Sequence, residues 1–210
     1  MFLMMGFGAA QVANTPGSTI SGLTVDTNNL LFIATAFGMS LMINAWIFYR
    51  VSGSAFNPAV TFALALTKAI TPARAALFTI AQVLGGITAA AIIHGLTPGN
   101  LNVSTRLGGG MSTSRGPGSF QLILLSGLFL EMFLTAQLVL AVFMLAVEKH
   151  KATFIAPVGI GLTLFTLHLA GIFYTGASMN PARSFGPDVV IGNFPAYHWI
   201  YCIPHRLIRC

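Results

Sequence analysis

The sequence predicts an all-α integral membrane bundle with an inverted internal repeat and two re-entrant half-helices. Three observations predict it: a composition suited to lipid, four apolar runs long enough to cross a bilayer, and two matched Asn-Pro-Ala frames. Of 210 residues, 55% are hydrophobic and 7% charged, where a soluble domain carries roughly a quarter charged residues. So few charges cannot clothe a water-facing surface. Ten Lys/Arg against four Asp/Glu give a net charge of +6. These cations are scattered rather than gathered into a patch, which argues against a nucleic-acid partner and suits the ends of spans. Cys202 and Cys210, both near the C-terminal end, supply neither a disulfide framework nor a metal cluster. No metal and no cofactor is expected. The first residues lack a basic n-region, so a cleaved signal peptide is not expected.

A helical span needs roughly 20 apolar residues. Met1 to Ala13 is apolar but about half that length. Leu30 to Tyr49 is the first full run, closed by Arg50. A shorter stretch, Pro58 to Leu66, follows Val51 to Phe56. Ala73 to Leu96 is the second full run, with Gln82 and His94 inside, and offers Gly85-Gly86 and Ala89 to Ala91 as faces for close helix packing. Thr97 to Ser119 reads as a Gly-, Ser- and Thr-rich loop. Phe120 to Val147 is the third run, long enough to hold a bend, with Glu131 and Gln137 in it. Glu148 to Lys151 is a tight charged turn. Phe154 to Tyr174, carrying His168, is the fourth. After Asp188 the tail is too short and too basic to cross again. The expected total is four full spans and one partial one.

Loop charge orients the chain. Arg50, Lys68, Arg74, Lys149 and Lys151 fall on one side, expected to be cytoplasmic; Arg106 and Arg115 fall on the other. The sequon Asn102-Val-Ser then lies outside, as an acceptor must.

Ser52-Gly-Ser-Ala-Phe-Asn57-Pro58-Ala59-Val-Thr-Phe62 matches Thr175-Gly-Ala-Ser-Met-Asn180-Pro181-Ala182-Arg-Ser-Phe185. Each has Gly four residues before Asn and an aromatic three residues after Ala. Three spans lie between the copies, so they enter from opposite faces. Residues 1–201 read as one transmembrane domain, with a first repeat over 1–96 and a second over 120–201; 202–210 is an atypical tail. Asn caps a helix start and Pro fits the first turn, where its missing N–H is not needed. Each Asn-Pro-Ala therefore opens a short helix that cannot span alone. Irregular backbone leading into such helices is tolerated in a bilayer only when buried in protein or lining a wet cavity.

Two helix N-termini brought together place two positive dipole ends at one point. Asn57 and Asn180 add amide donors there. Water accepts such bonds through its oxygen, whereas a cation is repelled. The alternative is that both Asn residues only cap helices. Arg183 follows the second motif where the first has Val60. A charge at membrane depth is functional by default, and Arg183 is expected to point into the path rather than snorkel outward. His168 is either a second polar group on that path or a satisfied interior histidine. Glu131, the sole carboxylate in a clear span, either holds loop backbone in place or relays protons. Asp188, at the unfavourable end of the second short helix, is expected at the membrane interface.

These motifs resemble the aquaporin (major intrinsic protein) family from Phe7 to Trp199. The most specific pieces are the two Asn-Pro-Ala frames, the second continuing Arg183-Ser-Phe-Gly-Pro187. Glu131 with Thr135, Gln137 and Leu138 is similar to the family's fourth-helix motif. The stretch Leu101 to Gly110 and the turn Glu148 to Lys151 resemble fungal members. The resemblance implies an hourglass fold of six spans and two half-helices, a homotetramer with one pore per subunit in membrane lipid, and passive water transport across the plasma membrane. It carries the narrow outer filter onto Phe37, His168, Ala177 and Arg183. There the aromatic narrows the passage, His168 and Arg183 supply polar contacts, and small Ala177 exposes backbone carbonyls. Set against that family, the chain is expected to lack the sixth span and the buried Glu of a longer first span, and to carry an insertion-like Ser119 to Leu128. The alternatives are a channel for glycerol or other small neutral solutes, and a non-conducting subunit of intact tetramers. An enzyme is not expected, because the spans hold no paired carboxylates or nucleophile–base pair of recognisable spacing.

Overall fold

A computed structural model describes residues 1–15, 27–107, 119–148, 151 and 153–202. Among them every regular element is a helix. These are α1 (Phe2–Asn14), α2 (Thr27–Ser52), α3 (Pro58–Leu66), α4 (Pro72–Leu96), α5 (Ser119–Val142), α6 (Ala156–Thr175) and α7 (Pro181–Ile191). Four segments are long and apolar enough to cross a membrane: Thr27–Ser52, Pro72–Leu96, Leu124–Val147 and Thr153–Thr175. They coincide with the four apolar runs, and α1 is the half-length one. Part of the Gly-rich loop (108–118), Lys149 and His150 of the charged turn, and tail residues 203–210 lie outside the described residues.

Helix boundaries follow local chemistry. α3, α4 and α7 each start with a side-chain cap followed by Pro in the first turn: Asn57, Thr71 and Asn180 accept from Ala59, Arg74 and Ala182 N–H respectively. α6 and α7 stop at Gly176 and Gly192, both left-handed (φ 79° and 70°), a conformation that a Cβ disfavours. A π-helical turn, Phe143–Val147, closes the third run at the end of α5.

α2 packs most heavily on α6, and α4 on α7. Small residues permit both approaches. A Cβ on Gly38 would lie 2.9 Å from the Gly161 carbonyl, and one on Gly186 would lie 2.5 Å from that of Gly86. Gly86 thus packs as its sequence context predicts, while its neighbour Gly85 meets nothing within 4 Å. One apolar cluster, including Phe7, Phe37, Leu41, Leu134, Leu164 and Met179, joins α1, α2, α5, α6 and the lead-in to α7. The outward faces stay apolar: Ile47, Leu84 and Phe133 are all more than half exposed, as a lipid-facing surface requires.

A candidate pore where two half-helices meet

The two Asn-Pro-Ala turns hold each other. Asn57 Oδ1 accepts from Ala59 N–H of its own helix (2.8 Å), and Asn57 Nδ2 donates to the Met179 carbonyl of the other copy (2.7 Å). Asn180 repeats the pattern: Oδ1 accepts from Ala182 N–H (3.0 Å) and Nδ2 donates to the Phe56 carbonyl (3.1 Å). α3 and α7 therefore meet tip to tip, with Pro58 and Pro181 in their first turns. Each amide has two N–H bonds and spends one across the junction, which leaves one per Asn. Capping and facing the path are thus compatible duties for one side chain.

The lead-in to α7 is irregular, with Ala177 and Met179 at φ 47° and 49°. Such backbone costs of order 1–3 kcal/mol per residue and persists only where its surroundings determine it. Glu131 of α5 is such a determinant. Its carboxylate, 1% exposed, accepts from Thr175 Oγ1 (2.6 Å), Ser178 N–H (2.9 Å) and Met179 N–H (2.9 Å). Thr175 is the last residue of α6, and the other two donors are backbone groups of the α7 lead-in. On the other half, Gln82 of α4 donates to the Ala55 carbonyl (2.5 Å) and to Thr61 Oγ1 (2.7 Å).

Three of the four expected filter residues touch. The rings of Phe37 and His168 stack with centroids 4.8 Å apart, and the Arg183 guanidinium carbon lies 5.1 Å from the Phe37 centroid. His168 Nδ1 is 3.0 Å from the Leu164 carbonyl. A carbonyl only accepts, so Nδ1 carries a proton, and in the neutral ring Nε2 is left as an acceptor; Nε2 is buried with no protein partner. Arg183, 4% exposed, donates through Nη1 to the Val103 carbonyl (3.2 Å). It does not snorkel. Ala177 is fully buried within the α7 lead-in. A narrow cavity runs from Tyr49 and Gly53, near the Ser52 end of α2, past Asn57 and Asn180 to Phe37, His168 and Arg183. Ala177 is not among its lining residues. The cavity volume is ≈ 60 Å³, enough for several waters at roughly 10–15 Å³ each.

Asp188 is fully buried within the protein, with Oδ1 2.7 Å from Arg106 Nη1 and Oδ2 2.8 Å from His198 Nδ1. The unfavourable dipole end is offset by two cationic partners. Burial works against the Asp188 charge, but hydrogen bonds from His198 and Arg106 outweigh it and hold the carboxyl below its ordinary value. The same Asp188 bond, with Cys202 second, raises His198 to about 9. Thr105 Oγ1 adds a bond to Ser184 Oγ (2.7 Å), which is 2.5 Å from Ser178 Oγ. Residues 100–107 are thereby tied to α7. Sequence reading missed Gln11, Val103, Thr105, Arg106 and His198. Their partners lie 79 to 91 positions away, or 10 for His198, and no local spacing announces them.

The family model for the major intrinsic proteins matches residues 1–204. Aquaporin-7 of Botryotinia fuckeliana is 49% identical over 97% of this chain and Aquaporin-8 of the same fungus 48% over 96%; the chain spans 43% and 59% of their lengths. Aquaporin-1 of Gibberella zeae is 48% identical, with 60% of its length spanned. The solved aquaglyceroporin of Plasmodium falciparum superposes with a TM-score of 0.74 over 97% of this chain and 84% of its own, at 19% identity, a likeness of fold alone. With the family model matched over nearly its whole length, the chain belongs to the major intrinsic protein (aquaporin) family of membrane channels.

Proposed function

We propose that the chain passes water through the cavity between α3 and α7 and excludes glycerol and cations. The observation that carries this reading is the convergence of Phe37, His168 and Arg183 at one level of a cavity that also holds Asn57 and Asn180. The stacked Phe37–His168 pair narrows the passage. Arg183 and the free Nε2 of His168 offer a donor and an acceptor to a water that has shed its neighbours. Lower down, the N-termini of α3 and α7 present two positive dipole ends and one free amide N–H from each Asn. A water there turns its oxygen toward both amides, and cations meet repulsion from both dipoles and from Arg183. Ala177, expected in the same filter, does not line the cavity, so the proposal rests on the other three residues. A homotetramer in the plasma membrane, one passage per subunit, fits the family membership.

Proteoliposome shrinkage under an osmotic step tests the proposal. Water efflux should exceed that of empty vesicles, while glycerol entry should equal theirs. Arg183→Val combined with Phe37→Ala widens the passage and should admit glycerol with water flux retained. Glycerol entry through the unaltered chain would favour a neutral-solute channel. Absent water flux with insertion demonstrated would favour a non-conducting subunit.

A further inference from the structure

Among the described residues, the Arg183 guanidinium has one protein hydrogen-bond acceptor, the Val103 carbonyl; its buried Nε has none. The aim of Arg183 therefore depends on where that carbonyl sits. Val103 lies in a stretch, residues 100–107, with no regular backbone bonding to fix it. An irregular segment is positioned only by what its backbone groups are bonded to. On one side of Val103, Thr105 and Arg106 bond to α7. On the other side the partner is Gln11, on α1.

Gln11 is 3% exposed, in the middle of an otherwise apolar helix face. A buried amide is costly unless its donor and acceptor are both used. Both are. Gln11 Nε2 donates to the Asn100 carbonyl (2.9 Å), and Gln11 Oε1 accepts from Asn102 N–H (2.8 Å). One planar amide thus grips two backbone groups two residues apart, as a neighbouring strand would, and fixes both position and rotation of the segment. Asn14, one turn on, adds a bond from Nδ2 to the Asn102 carbonyl (2.7 Å). The carbonyl that holds Arg183 belongs to the next residue.

We propose that Gln11 is a positioning residue for the filter: through the Asn100–Val103 backbone it sets the place of the Arg183 guanidinium, and with it the discrimination between water and larger solutes. This rests on the reading of Arg183 as a filter residue. Gln11 touches neither Arg183 nor the passage and acts at one remove.

The test pairs Gln11→Met, which keeps length and volume but neither hydrogen bond, with Arg183→Val and the double variant in proteoliposomes. Gln11→Met should raise the glycerol-to-water permeability ratio by about twofold to thirtyfold, the range for a contact acting through intermediates. In the Arg183→Val background the same change should add nothing. Asn14→Ala, at the exposed edge of the clasp, should move the ratio in the same direction by a smaller factor. An unchanged ratio in Gln11→Met, or an equal rise with and without Arg183, overturns the proposal. Hydrogen–deuterium exchange supplies a readout independent of conduction: Gln11→Met should speed exchange over residues 100–103. Unchanged exchange there overturns the clasp even if the unaltered protein conducts nothing, a result that by itself would sink only the water-channel reading.

Discussion

Asn57 and Asn180 show how much one side chain type can do at a buried junction. A carboxamide carries an acceptor and two donors; each Asn spends the acceptor on its own helix and one donor on the other copy. An aspartate could cap but not donate, which is why Asn is the residue that fits. Glu131 is the complementary case, an acceptor-only group facing three donors. The capping half of the Asn duty was legible in sequence because each Asn precedes Pro; the donation across the junction was not, and for Glu131 the sequence left loop-holding and proton relay both open. The partners of Asp188, Arg106 and His198, come from other segments and were not legible in the sequence. That cluster gives a pH prediction. His198 stands at about 9 in the folded protein against an ordinary 6.5, so its pairing with Asp188 stabilises fully below pH 6.5 and is lost as pH rises through about 9. Asp188, held below its ordinary 3.8, keeps its charge until well into acid. The thermal midpoint of the detergent-solubilised protein should therefore decline between pH 7 and pH 10. His198→Gln, which keeps a donor but no titrating charge, should remove the part of that decline due to this pair. Equal slopes in both proteins would contradict the assignment.

At the scale of the elements, the half-helices are short because their starts are specified and their ends need only reach the membrane surface. The bounds of α3, Pro58–Leu66, were readable because Asn-Pro marks its start and Leu66 ends its apolar stretch. The π-helical turn after α5 was not readable, since no residue type in Phe143–Val147 marks it. α7 is held by α4 through glycines, and this contact was visible only as a pair of small residues that any bundle might use. Gly86 and not Gly85 carries it, a distinction that depends on helix rotation. Gly86→Leu should drive a side chain into the Ala182 carbonyl and cost about 1–3 kcal/mol, the range for overpacking a close contact. Gly85→Leu, in open space, should be near neutral. Thermal unfolding of the two variants in one detergent compares them, and equal losses would show that the glycine contact is misplaced.

At the scale of the whole molecule, apolar residues both fill the core and cover the outward faces, and a few polar and charged side chains are buried among them. The buried set includes Glu131, His168, Asn57, Asn180, Arg183 and Asp188, while Phe133 is 67% exposed and Leu84 58%. Composition alone announced the apolar exterior; the repeat pointed to Asn57, Asn180 and Arg183, while Glu131 and His168 stood out only as polar groups within apolar spans. A single Phe133→Arg change should lower the membrane-inserted yield, since an arginine at the centre of a span costs about 2.5–3.5 kcal/mol on insertion scales. Phe133→Leu should insert normally, and equal yields of the two would place Phe133 away from lipid. The central claim is that two short helices, entered from opposite faces, meet at their tips inside the bilayer. Solid-state NMR on the lipid-embedded protein, with ¹⁵N in asparagine side chains and ¹³C in methionine carbonyls, measures it directly. A short-range coupling between Asn57 Nδ2 and the Met179 carbonyl is predicted, absent from Met179→Leu in the same labelling. A fully labelled, inserted protein without that coupling would contradict the account.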